Sequence, residues 1–165
     1  SGDASNGEAL AVVPFLGACG GAEVTGLNLC AQVPAEAAAR VRVALREHGV
    51  LVFRGQPLRE ADVLRAAKIF GQPEPVGDQK FPIALYQVKD RDRVRRGQDF
   101  WHADNSYNPH GGGPTLLYGL KIPKGADGRT LGDTQFADAA SAAASLPQAL
   151  RERIEGRRAL HNMAH

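Results

Sequence analysis

The side chains best able to do chemistry are concentrated between Phe100 and Phe136. The stretch begins Phe100-Trp101-His102-Ala103-Asp104-Asn105-Ser106-Tyr107, passes Gly111-Gly112-Gly113-Pro114 and an apolar run, and ends Leu131-Gly132-Asp133-Thr134-Gln135-Phe136. At its centre His102 and Asp104 stand two apart. On an extended backbone, residues at i and i+2 point to the same face, so this imidazole and carboxylate can reach one cation together. A His and a carboxylate completed by a second His form the arrangement that holds non-haem Fe(II) and leaves coordination positions open. A surface turn or a strand-end salt bridge uses the same two residue types, and His-x-Asp alone does not separate the readings.

The surroundings narrow the choice. Trp-His-x-Asp-x-Ser-Tyr over residues 101–107, an apolar stretch opened by Pro114, and Gly-Asp-Thr-x-Phe-Ala-Asp over 132–138 leading into an Ala-rich segment follow one another in order. Upstream stand Gly21-Ala22-Glu23-Val24-Thr25-Gly26-Leu27 and Val50-Leu51-Val52-Phe53-Arg54-Gly55-Gln56, and downstream Ala159-Leu160-His161. Together these motifs resemble the TauD/TfdA family of Fe(II)- and 2-oxoglutarate-dependent dioxygenases over nearly the whole chain.

The resemblance implies an α+β, mainly β fold: a double-stranded β-helix, or jelly-roll, core with helices packed outside. It implies Fe(II) held by His102 and Asp104, with 2-oxoglutarate as cosubstrate and O2 as oxidant. It also implies decarboxylation of 2-oxoglutarate coupled to hydroxylation or a related oxidation of a small organic substrate. Thr134 falls where relatives place a hydroxyl against the 2-oxoglutarate carboxylate, although a β-branched strand residue favoured for packing would read the same way. Halogenase relatives carry a small residue in place of the carboxylate, so Asp104 favours oxidation over halogenation. In the family the loops around the His-x-Asp segment line the substrate pocket, which nominates Gln79, Lys80, Tyr86, Asn105 and Tyr107; solvated loop positions are the alternative for each.

One part of the pattern is missing. The family's second ligand His and its 2-oxoglutarate-pairing Arg lie beyond the position of Leu160-His161, whereas the sequence stops at His165. His161 matches an additional His of relatives, and His165 is terminal; neither is assigned as the second ligand. His110 lies only a few residues past Asp104 beside glycines and reads as exposed or substrate-facing. The expectation is a single domain over 1–165 that forms the N-terminal part of a dioxygenase, with the barrel incomplete at its C-terminus. The alternative is a non-catalytic module that keeps the front of the fold and binds a small molecule or partner. A metal-dependent hydrolase has no His-Glu-x-x-His or comparable set in its support.

The positioning elements follow from periodicity and punctuation. Leu10–Phe15 and Glu23–Leu27 read as strands joined through Gly17, Gly20 and Gly21. Pro34 opens a helix with Val41, Val43 and Ala44 on its apolar side, and Gly49 stops it; His48 suits its C-terminal turn. Val50–Phe53 is too short and too rich in β-formers to be a helix, and reads as a buried strand. A second helix follows Gln56-Pro57-Leu58, with Val63, Leu64, Ala67 and Phe70 as its face, and ends at Gly71. Strands are expected at Ile83–Val88, Thr115–Leu120 and Asp133–Phe136. Helices are expected at Ala139–Leu146 and Pro147–Ile154, then an extended segment over Arg157–His161. No Gly-x-Gly-x-x-Gly follows a strand, so a dinucleotide fold finds no support.

Composition sets the outer limits. A chain of 165 residues that is 43% hydrophobic can build one domain with a core. Lys and Arg number 20 against 18 acidic residues, and the net charge of +2 specifies no polyanionic partner. The run Lys89–Arg96 mixes both signs without interleaved aromatics and reads as a solvated loop rather than a nucleic-acid surface. No apolar stretch of about 18 residues is present to span a membrane. Ser1–Gly7 is polar, lacks a signal-peptide layout and, with Glu8, is expected to be disordered. Cys19 and Cys30 are expected to be free thiols of a cytoplasmic enzyme, a disulfide between them being the alternative. Relatives often associate, which makes a homo-oligomer a further expectation.

Overall fold

The computed structural model describes residues 9–17, 20–74, 101–109 and 112–161. Three short strands form one sheet in the order β1-β2-β3: β1 (Ala11–Pro14), β2 (Ala22–Thr25) and β3 (Leu51–Val52). β1 runs antiparallel to β2, with Val12 opposite Val24, and β3 runs parallel to β2, with Ala22 opposite Leu51. In β2 the alternation of side chains is clean: Ala22 and Val24 are buried, while Glu23 and Thr25 turn to the other face. There Glu23 accepts a hydrogen bond from Arg54 Nε at 3.3 Å. Gly21 (φ +87°) closes the β1–β2 connection, and a Cβ on it would come within 2.9 Å of the Phe15 ring. Only glycine satisfies both constraints.

Between β2 and β3 the chain crosses over through α1 (Ala35–His48). Pro34 stands at its N-cap, and Gly49 (φ +73°) donates its N–H to Leu45 O at the other end. This is the glycine stop that the sequence calls for. Val41 and Ala44 are buried against the sheet, but Val43 faces solvent. The apolar stripe is thus narrower than the sequence suggests. The Arg40 and Arg42 guanidiniums reach back to Leu10 O at 2.9 Å and Ile69 O at 3.1 Å, so both serve the packing rather than only solvation. β3 sits at the sheet edge and is half-buried, not the fully buried strand expected of an apolar run.

α2 (Glu60–Ala67) ends before the expected stop at Gly71 and is rotated relative to the sequence expectation. Its buried side chains are Asp62 and Ala66, with Ile69 following in the terminal turn; Val63, Leu64, Ala67 and Phe70 are half-buried. The carboxylate that this rotation buries is partnered from within its own helix. Asp62, 2% exposed, accepts from Arg59 N at 3.0 Å and pairs with Arg59 Nε at 3.2 Å and Arg65 at 2.5 Å. Arg65 also donates to Cys30 O at 2.6 Å, which fixes α2 to the loop after β2. The two arginines travel with the helix, so their pairs permit the burial of this carboxylate, and the contact of Arg65 with Cys30 O is what ties this face to its surroundings. The core itself is made by Val24, Leu29, Val41, Ala66 and Ile69.

Gln56 is a second polar anchor. Its side chain accepts from Leu29 N at 2.9 Å and donates to Leu27 O at 3.0 Å, while its own carbonyl accepts from the Tyr118 hydroxyl at 3.0 Å. That hydroxyl also accepts from Leu58 N at 3.0 Å, so Tyr118 docks the later segment onto the loop before α2. Cys30 is a free thiol that donates to Pro57 O at 3.6 Å.

After Tyr118 the architecture departs from expectation. Neither Thr115–Leu120 nor Asp133–Phe136 is a strand; the sole pairing described there is an isolated bridge between Lys124 and Thr130. Leu117 is 65% exposed and Phe136 62% exposed. The residues are β-formers, but a strand exists only where a ladder partner lies alongside, and among the described residues none does. α3 (Ala139–Ala144) and α4 (Gln148–Ile154) form where the sequence places them. Asp138 caps α3 through Ala140 N and Ser141 N, and the Ser141 hydroxyl holds its carboxyl below the usual range. The expected strand Ile83–Val88, the charge run Lys89–Arg96, Ser1–Glu8 and Cys19 lie outside the described residues. No helix of the described residues is long and apolar enough to cross a membrane.

Two predictions follow from these anchors. The hydrogen bonds from Arg59 N and Arg65 hold the Asp62 carboxyl at about 2, down from 3.8. A depressed folded value means that the carboxylate's stabilisation is present above 3.8 and is lost as pH falls from there toward about 2. Urea midpoints measured across that window should fall in the wild type, and more shallowly in Asp62→Asn; equal slopes would show that Asp62 is not a source of acid sensitivity. Tyr118→Phe removes the hydroxyl that bonds both Gln56 O and Leu58 N, leaving Leu58 N with Gln56 O alone, and should lower unfolding stability by about 1 kcal/mol, with faster hydrogen exchange at Leu58 as the local sign.

Candidate metal centre

The His102–Asp104 pair forms, though not on a strand. Residues 101–103 are irregular and Asp104–Tyr107 is a turn, closed by Asn108 N donating to Asn105 O at 2.9 Å. Asn105 has φ +54°, the left-handed region that Asn tolerates better than most residues. The turn nevertheless brings His102 Nε2 to 3.3 Å from Asp104 Oδ1. Donors on adjacent corners of an octahedron with bonds of ~2.1 Å stand about 3 Å apart. A neutral imidazole nitrogen and a carboxylate oxygen at this separation therefore suit one first-row divalent ion. The side chains are 45% and 57% exposed, so the pair is open to solutes. Without a metal the same contact is a His–Asp ion pair when the imidazole is protonated. Among the described residues no cluster of three His, Cys, Asp or Glu side chains is present.

The loop around the pair is braced from two directions. Gly112 passes so close that a Cβ there would lie 2.9 Å from Asp104 O and 3.3 Å from Asn105 Cβ. Three residues later, the Thr115 hydroxyl donates to Asp104 Oδ2 at 3.0 Å. From the far end of the chain, His161 Nδ1 meets Ser106 Oγ at 3.0 Å. The sequence marks Thr115 only as a strand residue and gives Ser106 no partner. A hydroxyl residue just past a glycine run beside the turn was the available signal for Thr115; nothing local signals a pair as far apart as Ser106 and His161.

The other nominated residues fall as follows. The Tyr107 hydroxyl donates to Asn105 Oδ1 at 3.1 Å, so these two stand together on the exposed side of the turn. Thr134 is exposed, in the irregular segment that leads to α3. His161 is drawn toward the turn but contacts Ser106. Lys80, Tyr86, Gln79, His110 and His165 lie outside the described residues.

Comparison with known proteins identifies the family. Residues 14–165 match the model of the taurine catabolism dioxygenase TauD, TfdA family. The chain belongs to the TauD/TfdA family. Among curated TauD/TfdA-type relatives, an alkylsulfatase of Acinetobacter baylyi is 30% identical over 148 residues, covering 86% of this chain and 44% of the relative. An (S)-phenoxypropionate/alpha-ketoglutarate-dioxygenase of Delftia acidovorans is 31% identical over 163 residues, covering 90% and 53%. The crystal structure of AAD-2 in complex with Mn(II) and N-oxalylglycine superposes with a TM-score of 0.64 at 24% identity, over 90% of this chain and 54% of that one. That likeness speaks for the fold. The chain spans about half the length of the curated relatives it matches.

The left-handed Asn105 in this TauD/TfdA-family turn gives a prediction. Asn105→Gly should be tolerated, whereas Asn105→Val should cost about 1–2 kcal/mol in backbone strain. Thermal unfolding of both variants checks it, and equal midpoints would argue that the turn does not hold that conformation.

Proposed function

We propose that the chain is the front part of an Fe(II)- and 2-oxoglutarate-dependent dioxygenase that oxidises a small organic anion. The observation that carries this is the 3.3 Å approach of His102 Nε2 and Asp104 Oδ1 within the family's motif. The sheet and helices described above would then be the leading portion of a double-stranded β-helix.

His102 would supply a neutral nitrogen and Asp104 a negative oxygen to the iron. Family members complete the set with a distal His. When bound, iron and 2-oxoglutarate supply the oxidation of a substrate C–H bond by O2, coupled to decarboxylation of the cosubstrate. The protein's own part is placement. Thr134 would donate its hydroxyl to the 2-oxoglutarate carboxylate, while Asn105 and Tyr107, with Lys80 and Tyr86, would meet the substrate. An anionic substrate is supported by the names of the two relatives, which denote a sulfate ester and an aryloxy acid, and by the positive charge of Lys80. A cytoplasmic location and self-association rest on the family resemblance, and light scattering in solution tests the latter.

The functional test is anaerobic titration of the full chain with Fe(II) and 2-oxoglutarate, following the visible charge-transfer absorption of the chelate. The band should develop in the wild type and be lost in Asp104→Ala and His102→Ala. A wild-type chain that develops no band would show that these residues alone do not assemble the chelate site, and variants that keep the band would remove His102 and Asp104 as the iron site.

A further inference from the structure

The Asp104 carboxylate is divided between two tasks. Oδ1 faces His102 Nε2 at 3.3 Å, and Oδ2 accepts the Thr115 hydroxyl at 3.0 Å. We infer that Thr115 is a positioning residue for the metal site: its hydroxyl holds Oδ2 away from the cation and presents Oδ1 alone to it. The inference rests on the assignment of His102 and Asp104 as ligands.

Three features carry it. Terminal torsions of Asp are broad, so a carboxylate on an exposed turn rotates unless something fixes its plane. A hydroxyl donating to one oxygen fixes that plane, and a hydrogen bond to an ionised carboxylate is stronger than one between neutral groups. Delivery of the hydroxyl is built into the backbone: Gly112 runs against Asp104 O at a separation only glycine allows, which brings Thr115 within reach eleven residues after Asp104. Partners of this kind orient metal ligands, and their loss typically weakens metal binding by about 10–100-fold. Because Thr115 is exposed and outside the apolar core, removing its hydroxyl should leave the fold in place.

Mn(II) is the probe, with free ion counted by electron paramagnetic resonance during titration of the full chain. Wild type should show a site that Asp104→Ala abolishes. Thr115→Val and Thr115→Ala should each bind Mn(II) about tenfold or more weakly, with metal-free thermal midpoints close to wild type. Thr115→Ser, which keeps the hydroxyl, should restore affinity to near the wild-type value. An Asp104-dependent site whose affinity is unchanged in Thr115→Val and Thr115→Ala overturns the role of Thr115 and spares the metal assignment. So does weakened binding that Thr115→Ser fails to rescue, since packing rather than the hydroxyl would then be at work. A wild-type chain with no Asp104-dependent Mn(II) site overturns both.

Discussion

The hydroxyl of Tyr118, held between Gln56 O and Leu58 N, is the constraint on which the placement of the site depends. Everything described from Trp101 onward is largely solvent-exposed, and the buried core belongs to the sheet, α1 and α2. The large apolar side chains of the later segment, Leu117, Phe136 and Leu160 among them, stay exposed, so the hydrophobic effect, which is non-directional and scales with the area buried, does not locate it. Directional hydrogen bonds then take over. Gln56 suits the task because its side chain is committed to Leu27 and Leu29 while its backbone carbonyl remains available to Tyr118.

The same reliance on polar contacts shapes the turn that carries His102 and Asp104. Neither residue lies in a ladder, so no pleat aligns their side chains. Their convergence comes instead from the left-handed Asn105, the close passage of Gly112 and the bond from Thr115. Ser106 and His161 add a tie from the end of the described chain. The pair so held is open and solvent-facing.

Inside the N-terminal layer α2 buries a carboxylate. Asp62 faces inward with Ala66, Arg59 and Arg65 converge on it from the same helix, and Arg65 carries the connection on to Cys30 O. A buried charge is costly unless fully partnered; Arg59 and Arg65 travel with the helix and supply that partnering, and the bond of Arg65 to Cys30 O ties this face to the loop after β2. The apolar residues Val63 and Leu64 accept half-burial as the consequence.

Much was legible from the sequence alone. Pro34 and Gly49 bounded α1, the Gly-punctuated apolar runs located β1, β2 and β3, and the motifs around His102, Asp104 and Thr134 named the family that the comparisons then established. These are local signals: caps, turn residues and spacings act within a few residues of themselves. What only tertiary structure decided was long-range. The tie of Arg65 to Cys30 O, the docking of Tyr118, the bracing of Asp104 by Thr115 and the tie from His161 each join residues whose sequence separation carries no periodic trace. Thr115–Leu120 and Asp133–Phe136 make the same point in reverse, since their composition favours strands but a strand is a property of a pair. A sequence specifies which backbone is willing to be extended; only the folded neighbours decide whether it has something to pair with.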